Sequence, residues 1–297
     1  MQRHRALARL ALLGSALVWG TSFVVVQKAL EDLPVFHLLA CRFLLATLLL
    51  LPLARGKWSR ELLRDGGVIG LLLFAGFVLQ TYGLLWTTPS RSAFLTGLSV
   101  VLVPLVGLLL GRPLRLWQLA GSICAALGLY ALYRPAAGAE NVPFNRGDFL
   151  TLLCAIVFAF YVLRIEKAVR RHSVRAIAVL QFGIVALLSF PSFLITPPRP
   201  EEFTGYALFA ILVMGVLATA GAFLCQLYAQ RHLSAVETGV ILTLEPVIAA
   251  AFSVLLGVES WTTSLTIGGA LVLAAMLLSE TGGGPVFGVK SESDAAA

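Results

Sequence analysis

A carboxylate, Glu245, stands beside Pro246 in the run T-L-E-P-V-I-A-A-A-F (243–252), and a guanidinium, Arg42, stands in C-R-F-L-L-A (41–46). Both interrupt stretches that are otherwise apolar. A charged side chain at the centre of a bilayer costs at least about 2.5–3.5 kcal/mol on insertion scales, so each must face water or a partner rather than lipid. Pro246 lacks a backbone N–H, and its ring displaces the carbonyl of Leu242 four residues back, leaving polar backbone beside the carboxylate. That combination suits a binding or coupling site at the membrane midplane. It equally suits a structural pin in which Arg42 and Glu245 pair, because both lie about 16 Å from the same end of their spans at 1.5 Å per residue.

Aromatic and amide residues form a second group: Trp19, Thr21 and Ser22; Gln80 and Tyr82; Tyr161; Gln226 and Tyr228. They fall within apolar runs and offer flat faces with hydrogen-bonding tips. Each has an interhelical hydrogen bond or an interfacial anchor as its alternative role. As a set they favour an uncharged or zwitterionic solute with an apolar or aromatic part. His37 opens a span and is a candidate proton carrier or an interfacial residue. Arg91, beside Pro89, reads as an anion-attracting group or a solvated loop charge, and Glu237 as a hydrated charge near a span end. Gly107 and Gly111 in G-L-L-L-G form a small-x-x-x-small pattern that permits close packing and a possible homodimer.

These residues need helices that cross a membrane. The chain has 297 residues, of which 59% are hydrophobic and 12% charged, and a mean hydropathy of +0.91. A soluble domain carries roughly 45–50% apolar and about 25% charged residues, so the expectation is an all-α integral membrane protein. Ten apolar runs are expected near 7–29, 35–53, 66–86, 92–110, 114–133, 148–168, 174–195, 204–228, 234–256 and 260–279. The charged start and the apolar stretch to Val26 resemble a signal peptide, but without a clear cleavage site they read as a retained first span. With the N-terminus inside, sixteen Lys and Arg fall on one side and five on the other, which predicts cytoplasmic termini and a flexible cytoplasmic tail at 280–297.

The net charge of +7 lies in short loops rather than on one water-facing surface, so topology explains it and no nucleic-acid partner is expected. Cys41, Cys124, Cys154 and Cys225 lack C-x-x-C spacing, and neither a zinc site nor another cofactor is expected. The four aspartates, Asp32, Asp65, Asp148 and Asp294, fall in predicted loops, ends or tail. No intramembrane aspartyl dyad is therefore expected, and H-E-x-x-H, G-x-S-x-G and the P-loop pattern are absent, so the chain does not read as an enzyme.

The sequence repeats itself. A shift of 139 residues lays 16–30 over 155–169 and pairs Pro52 with Pro191; a shift of 142 lays S-A-F-L-T-G-L-S-V-V-L-V-P (92–104) over S-A-V-E-T-G-V-I-L-T-L-E-P (234–246). Pro104 and Pro246 then mark equivalent helix breaks. Five spans per half give two inverted repeats, at 7–133 and 148–279, and inverted repeats with a midplane solute site are a plan of secondary transporters. A channel is the rival reading.

With A-L-V-W-G-T-S-F, C-R-F-L-L-A, Q-T-Y-G-L-L-W-T-T-P-S-R-S-A-F-L-T-G-L, L-E-P-V-I-A-A-A-F-S-V-L-L-G-V-E-S-W and I-G-G-A-L-V-L-A in this order, the chain resembles the drug/metabolite transporter superfamily, specifically ten-span proteins with two EamA domains. The resemblance implies a bacterial inner-membrane carrier of small metabolites, most often an exporter of amino acids, working by alternating access. It implies a cavity lined by spans one, three and four with six, eight and nine, while spans two and seven move and five and ten act as scaffold. Val103 stands opposite Glu245 in the repeat, and Gln181 opposite Arg42, so charge is present in one copy of each position. A multidrug or lipophilic-cation carrier is the alternative that Glu245 supports. A sugar-phosphate or nucleotide-sugar carrier would need more cavity cations than Arg42.

Overall fold

The computed structural model describes residues 2–54, 58–112, 114–133, 143–255, 261, 263–280 and 286–287. Most of the 280–297 tail, and Arg55, Lys57, Arg134 and Lys290 of the charge tally, lie outside them. The chain is helical. Its elements are α1 (Gln2–Ala29), α2 (Val35–Leu50), α3 (Arg60–Gly83), α4 (Pro89–Gly97), α5 (Ser99–Leu109), α6 (Leu116–Tyr133), α7 (Arg146–Val169), α8 (Val174–Ser189), α9 (Ser192–Ile195), α10 (Gly205–Val213), a π turn (Met214–Gly221), α11 (Ala222–Gln230), α12 (Ala235–Leu242), α13 (Leu244–Leu255) and α14 (Thr263–Glu280). A two-residue antiparallel pairing sets Leu114 opposite Phe287 and Arg115 opposite Val286.

Among the described residues, eight stretches are long and apolar enough to cross a membrane: Arg3–Ala29, Val35–Leu53, Arg60–Gly83, Pro89–Leu109, Arg146–Val169, Val174–Ile195, Gly205–Gln230 and Ala235–Phe252. The expected fifth and tenth runs hold shorter apolar helices, Leu116–Ala131 and Thr266–Ala275. Leucines such as Leu71, Leu127, Leu212 and Leu273 are exposed on these helices. Lipid is the solvent that suits such a surface.

The polar separators start the helices. Ser59 accepts from the Leu62 N–H and Thr88 from that of Arg91, ahead of Pro89, while Asn145 with Asp148 and Ser234 with Glu237 form capping boxes. α5 ends in a Schellman turn, with Arg112 N–H on the Gly107 carbonyl at 2.9 Å, Gly111 N–H on that of Leu108 at 2.9 Å, and Gly111 at φ +73°. This corrects the G-L-L-L-G reading. Gly111 terminates the helix, so the two glycines do not form one packing face.

The expected helix breaks also differ between the halves. Pro246 is the third residue of α13, in the first turn where N–H groups have no intrahelical acceptor, and the span is interrupted just before it at Thr243. Pro104, by contrast, lies inside α5, which runs on past it; the interruption falls at Leu98, directly after Gly97. Glycine, with its low helix propensity, marks that boundary instead of the proline.

The largest interhelical contacts are α6 with α14, α3 with α7, α2 with α8 and α1 with α11. Small residues set the spacing of α3 and α7: a Cβ on Gly83 would lie 2.5 Å from Thr151 Oγ1, and one on Gly147 would lie 2.6 Å from the Gly83 carbonyl. The core between α2, α3, α7, α8 and α11 is aromatic, with Phe43, Phe77, Phe182 and Phe223 in edge or tilted contacts.

Where α1 begins, α11 ends and α12 begins, the bundle is packed shut by Ala8, Leu12, Ala229, Leu233 and Ile241, with Tyr228 against them. Here Arg5 pairs with Glu237. His4 stacks on His232 with centroids 5.5 Å apart. Desolvation, followed by the neighbouring His4 and Arg231, lowers the pKa of His232 from 6.5. A lowered histidine means that the unfolded chain binds the proton more readily, so stability is lost as pH falls from 6.5 through the folded value. The expected result is a melting temperature that declines over that window, with a smaller decline in His232→Gln; an unchanged decline would remove His232 as its cause.

Candidate solute cavity

A cavity of about 850 Å³, counted to its mouth, opens among α1, α2, α3, α4, α5, α7, α11, α12 and α13. Trp19, Ser22, Phe23 and Val26 come from α1, Arg42 from α2, and Phe77, Gln80 and Thr81 from α3. Thr96, Gly97 and Ser99 flank the interruption at Leu98; Phe158, Tyr161 and Val162 come from α7, and Phe223 and Gln226 from α11. Gly239, Leu242, Thr243 and Glu245 flank the second interruption. Both broken helices therefore expose their breaks to the cavity, the placement that lets unpaired backbone groups exist at membrane depth.

Arg42 and Glu245 share this space without touching. Among the described residues neither has an ion-pair partner within 4.0 Å, so of the two alternatives the sequence left open, the structural pin is not formed here. Arg42, only 3% exposed, donates from Nε to Thr219 Oγ1 at 3.1 Å, and its guanidinium carbon lies 4.9 Å from the centroid of Phe77 and 5.2 Å from that of Phe43. The π turn and two rings hold it. The Glu245 backbone is fixed from another direction, because Gly20 brings α1 against α13 so closely that a Cβ there would lie 2.8 Å from the Glu245 carbonyl and 2.9 Å from Ile248 Cβ. The Arg42 side chain is thus tied to the π turn, while Glu245 rises from a backbone packed on α1.

Gly20→Val should therefore push α13 away and impair transport more than tenfold while leaving insertion intact, because overpacking forces backbone shifts of about 1–3 kcal/mol. Transport and membrane yield of Gly20→Val against Gly14→Val check this, since a Cβ on Gly14 meets nothing within 4 Å. Equal transport by the two variants would contradict it.

Of the aromatic and amide candidates, Trp19, Ser22, Gln80, Tyr161 and Gln226 line the cavity. Trp19 Nε1 donates to the Ala218 carbonyl at 2.7 Å, Gln80 Nε2 to Thr96 Oγ1 at 3.1 Å, and the Tyr161 hydroxyl to Gln181 Oε1 at 3.0 Å. Ser22 Oγ returns to the Trp19 carbonyl at 2.8 Å, and Thr21 Oγ1 to the carbonyls of Leu17 and Val18. The Gln226 Oε1 atom is buried with no hydrogen-bond partner among the described residues.

Thr21, Tyr82, Tyr228 and His37 lie outside the cavity lining. Tyr82 sits edge-on to Phe36 at 5.7 Å, outside the cavity lining, and Tyr228 belongs to the packed-shut end of the bundle. His37 is buried against Phe193 at 4.4 Å, its Nδ1 3.8 Å from Glu202 Oε2. Arg91 is not a solvated loop charge: it is 9% exposed at the side chain and pairs at 2.6 Å with Asp148, which is fully buried. Asp148 also accepts from the Thr87 hydroxyl at 2.7 Å and from the Asn145 N–H at 2.9 Å, so it closes a helix start, at the span end where the sequence places it. Glu237, read as a hydrated charge, caps α12 and pairs with Arg5.

Phe77, Phe158 and Phe223 line the cavity without having been singled out by sequence, because a phenylalanine facing solute and one facing lipid look alike in an apolar run. Thr219 was also missed. Its signal is a hydroxyl in the small-residue stretch M-G-V-L-A-T-A-G (214–221).

Helices of spanning length surround a cavity that opens at two helix breaks and holds Arg42 and Glu245, neither of them ion-paired among the described residues, an arrangement that suits a multi-pass membrane transporter. The chain belongs to the EamA-like transporter family, whose model matches it twice, over residues 6–134 and 145–281. An uncharacterized transporter of Archaeoglobus fulgidus is 32% identical over 275 residues, spanning 92% of this chain and 86% of that protein. The uncharacterized transporter YoaV of Bacillus subtilis is 22% identical over 283 residues, 91% of this chain and 95% of its own. One solved structure, described only as a protein crystal structure, shares the fold with a TM-score of 0.75 at 21% identity, covering 92% of this chain and 96% of that one.

Proposed function

We propose that the protein is a secondary carrier that exports amino acids, or related zwitterionic compounds with an apolar or aromatic side chain, by alternating access across a bacterial inner membrane. The observation that carries this reading is the unpaired Arg42 and Glu245 in one aromatic-walled cavity. A buried charge left without a counter-ion is costly, and a solute with a carboxylate and an ammonium satisfies both at once. Trp19, Phe77, Phe158 and Phe223 offer the apolar wall for its side chain. A lipophilic cation would satisfy Glu245 and leave Arg42 bare, so the cation-carrier reading is the weaker one.

The same reading counts Leu116–Ala131 and Thr266–Ala275 as spans, giving ten helices in two inverted halves with both termini cytoplasmic. Symmetry-related contacts support it. The 139-residue shift carries Asp65 onto Thr204; His172 bonds Asp65 at 3.1 Å, and Thr204 bonds Asp32 at 2.6 Å, so each half's first loop holds the start of the other half's third span. α1 against α11 likewise matches α7 against α3, and α2 with α8 and α6 with α14 pair with their own counterparts. The shift also lays Trp19 on Phe158, both on the cavity wall.

Thermal unfolding of the purified protein against amino acids, nucleosides, sugar phosphates and lipophilic cations tests the solute class. A ligand that binds the folded state raises the melting temperature with concentration, by about 2.7 kcal/mol of stabilisation at a hundred times its Kd. Amino acids are expected to do so; a response confined to lipophilic cations or sugar phosphates would reject the reading.

A further inference from the structure

The π turn at Met214–Gly221 is where both the cation and the indole of the cavity are tied. Thr219, fully buried, accepts from Arg42 Nε, and the preceding Ala218 carbonyl accepts from Trp19 Nε1. Gly215, on the same turn, admits α2: a Cβ there would lie 3.1 Å from the Arg42 carbonyl and 2.7 Å from Leu45 Cδ2. Single π turns interrupt α-helices frequently at functional sites.

A guanidinium has five donors in a rigid fork. With Nε occupied by Thr219 and the plane laid beside Phe77 and Phe43, Nη1 and Nη2 are left without a protein partner among the described residues. Those two nitrogens form the end-on fork that receives a carboxylate through two parallel hydrogen bonds. Without Thr219, the Nε edge would compete for the same carboxylate, or the side chain would swing toward Glu245.

We infer that Thr219 is a positioning residue: it fixes Arg42 so that the Nη1/Nη2 fork is presented to the carboxylate of the solute. The inference rests on the zwitterion reading above. It also assigns the two ends of the solute, carboxylate toward α2 and the π turn, ammonium toward Glu245.

The test measures counterflow of phenylalanine and of its decarboxylated amine, phenylethylamine, in proteoliposomes holding the unsubstituted protein, Thr219→Val, Thr219→Ser or Arg42→Gln. Thr219→Val keeps the shape and removes the acceptor; it should raise the half-saturation concentration for phenylalanine about tenfold, leave the maximal rate within about twofold, and leave phenylethylamine unchanged. Thr219→Ser should restore the original value. Thr219→Ala, checked for an unchanged melting temperature without solute, serves should the valine variant not fold. Unaltered phenylalanine saturation in Thr219→Val, with a large rise in Arg42→Gln, overturns the inference and leaves the reading standing. No saturable phenylalanine transport by the unsubstituted protein, or none of the change in Arg42→Gln, overturns the reading itself.

Discussion

Arg42→Gln lowers the apparent affinity for a zwitterionic amino acid about 10- to 100-fold, and Glu245→Gln does the same, because each removes a charge-assisted contact of about 1.5–3 kcal/mol. The decisive comparison is the double variant. Were the two residues a buried pair, losing one would strand the other, and the double change would recover much of the loss. Since Arg42 is bonded to Thr219 and forms no ion pair with Glu245 among the described residues, the double variant should be worse than either single one. Titration of solute against the melting temperature of the four proteins reads this directly. Recovery in the double variant would sink the two-subsite account.

Asp148→Ala should be the most destabilising single change outside the cavity, by about 3–5 kcal/mol, because it leaves Arg91 buried without its carboxylate. It also takes an acceptor from Thr87 and breaks the capping box that opens α7. Unfolding of purified protein in denaturing detergent checks the magnitude. Arg91→Leu with Asp148→Leu should be less harmful than Asp148→Ala alone, since no uncompensated charge is left behind. A loss below about 1 kcal/mol for Asp148→Ala would mean that the pair is hydrated.

The helices were legible because spanning runs and polar separators follow from lipid itself, and residues such as Ser59, Thr88 and Ser234 cap where turn chemistry says they should. Charge in the membrane was legible for the same reason: Arg42 and Glu245 stand out in an apolar run, and both line the cavity. Their relation was not. Equal depth along two helices says nothing about azimuth, and the hold of the π turn on Arg42 has no mark in the sequence. Pro104 was misread because a proline's backbone cost can be absorbed within a helix while a nearby glycine breaks it. The Arg91–Asp148 pair was not legible because a span-end charge looks solvated until a partner from another helix is seen, and Phe77, Phe158 and Phe223 carry no mark that separates solute from lipid.

The central claim, a zwitterion held between Arg42 and Glu245 by an alternating-access carrier, is tested most directly by counterflow of labelled phenylalanine in liposomes preloaded with unlabelled phenylalanine, its amide or its amine. Saturable counterflow driven by the zwitterion, and at least about tenfold weaker with either the amide or the amine, is the predicted result. Unsaturable flux, or counterflow driven equally well by all three, would contradict it.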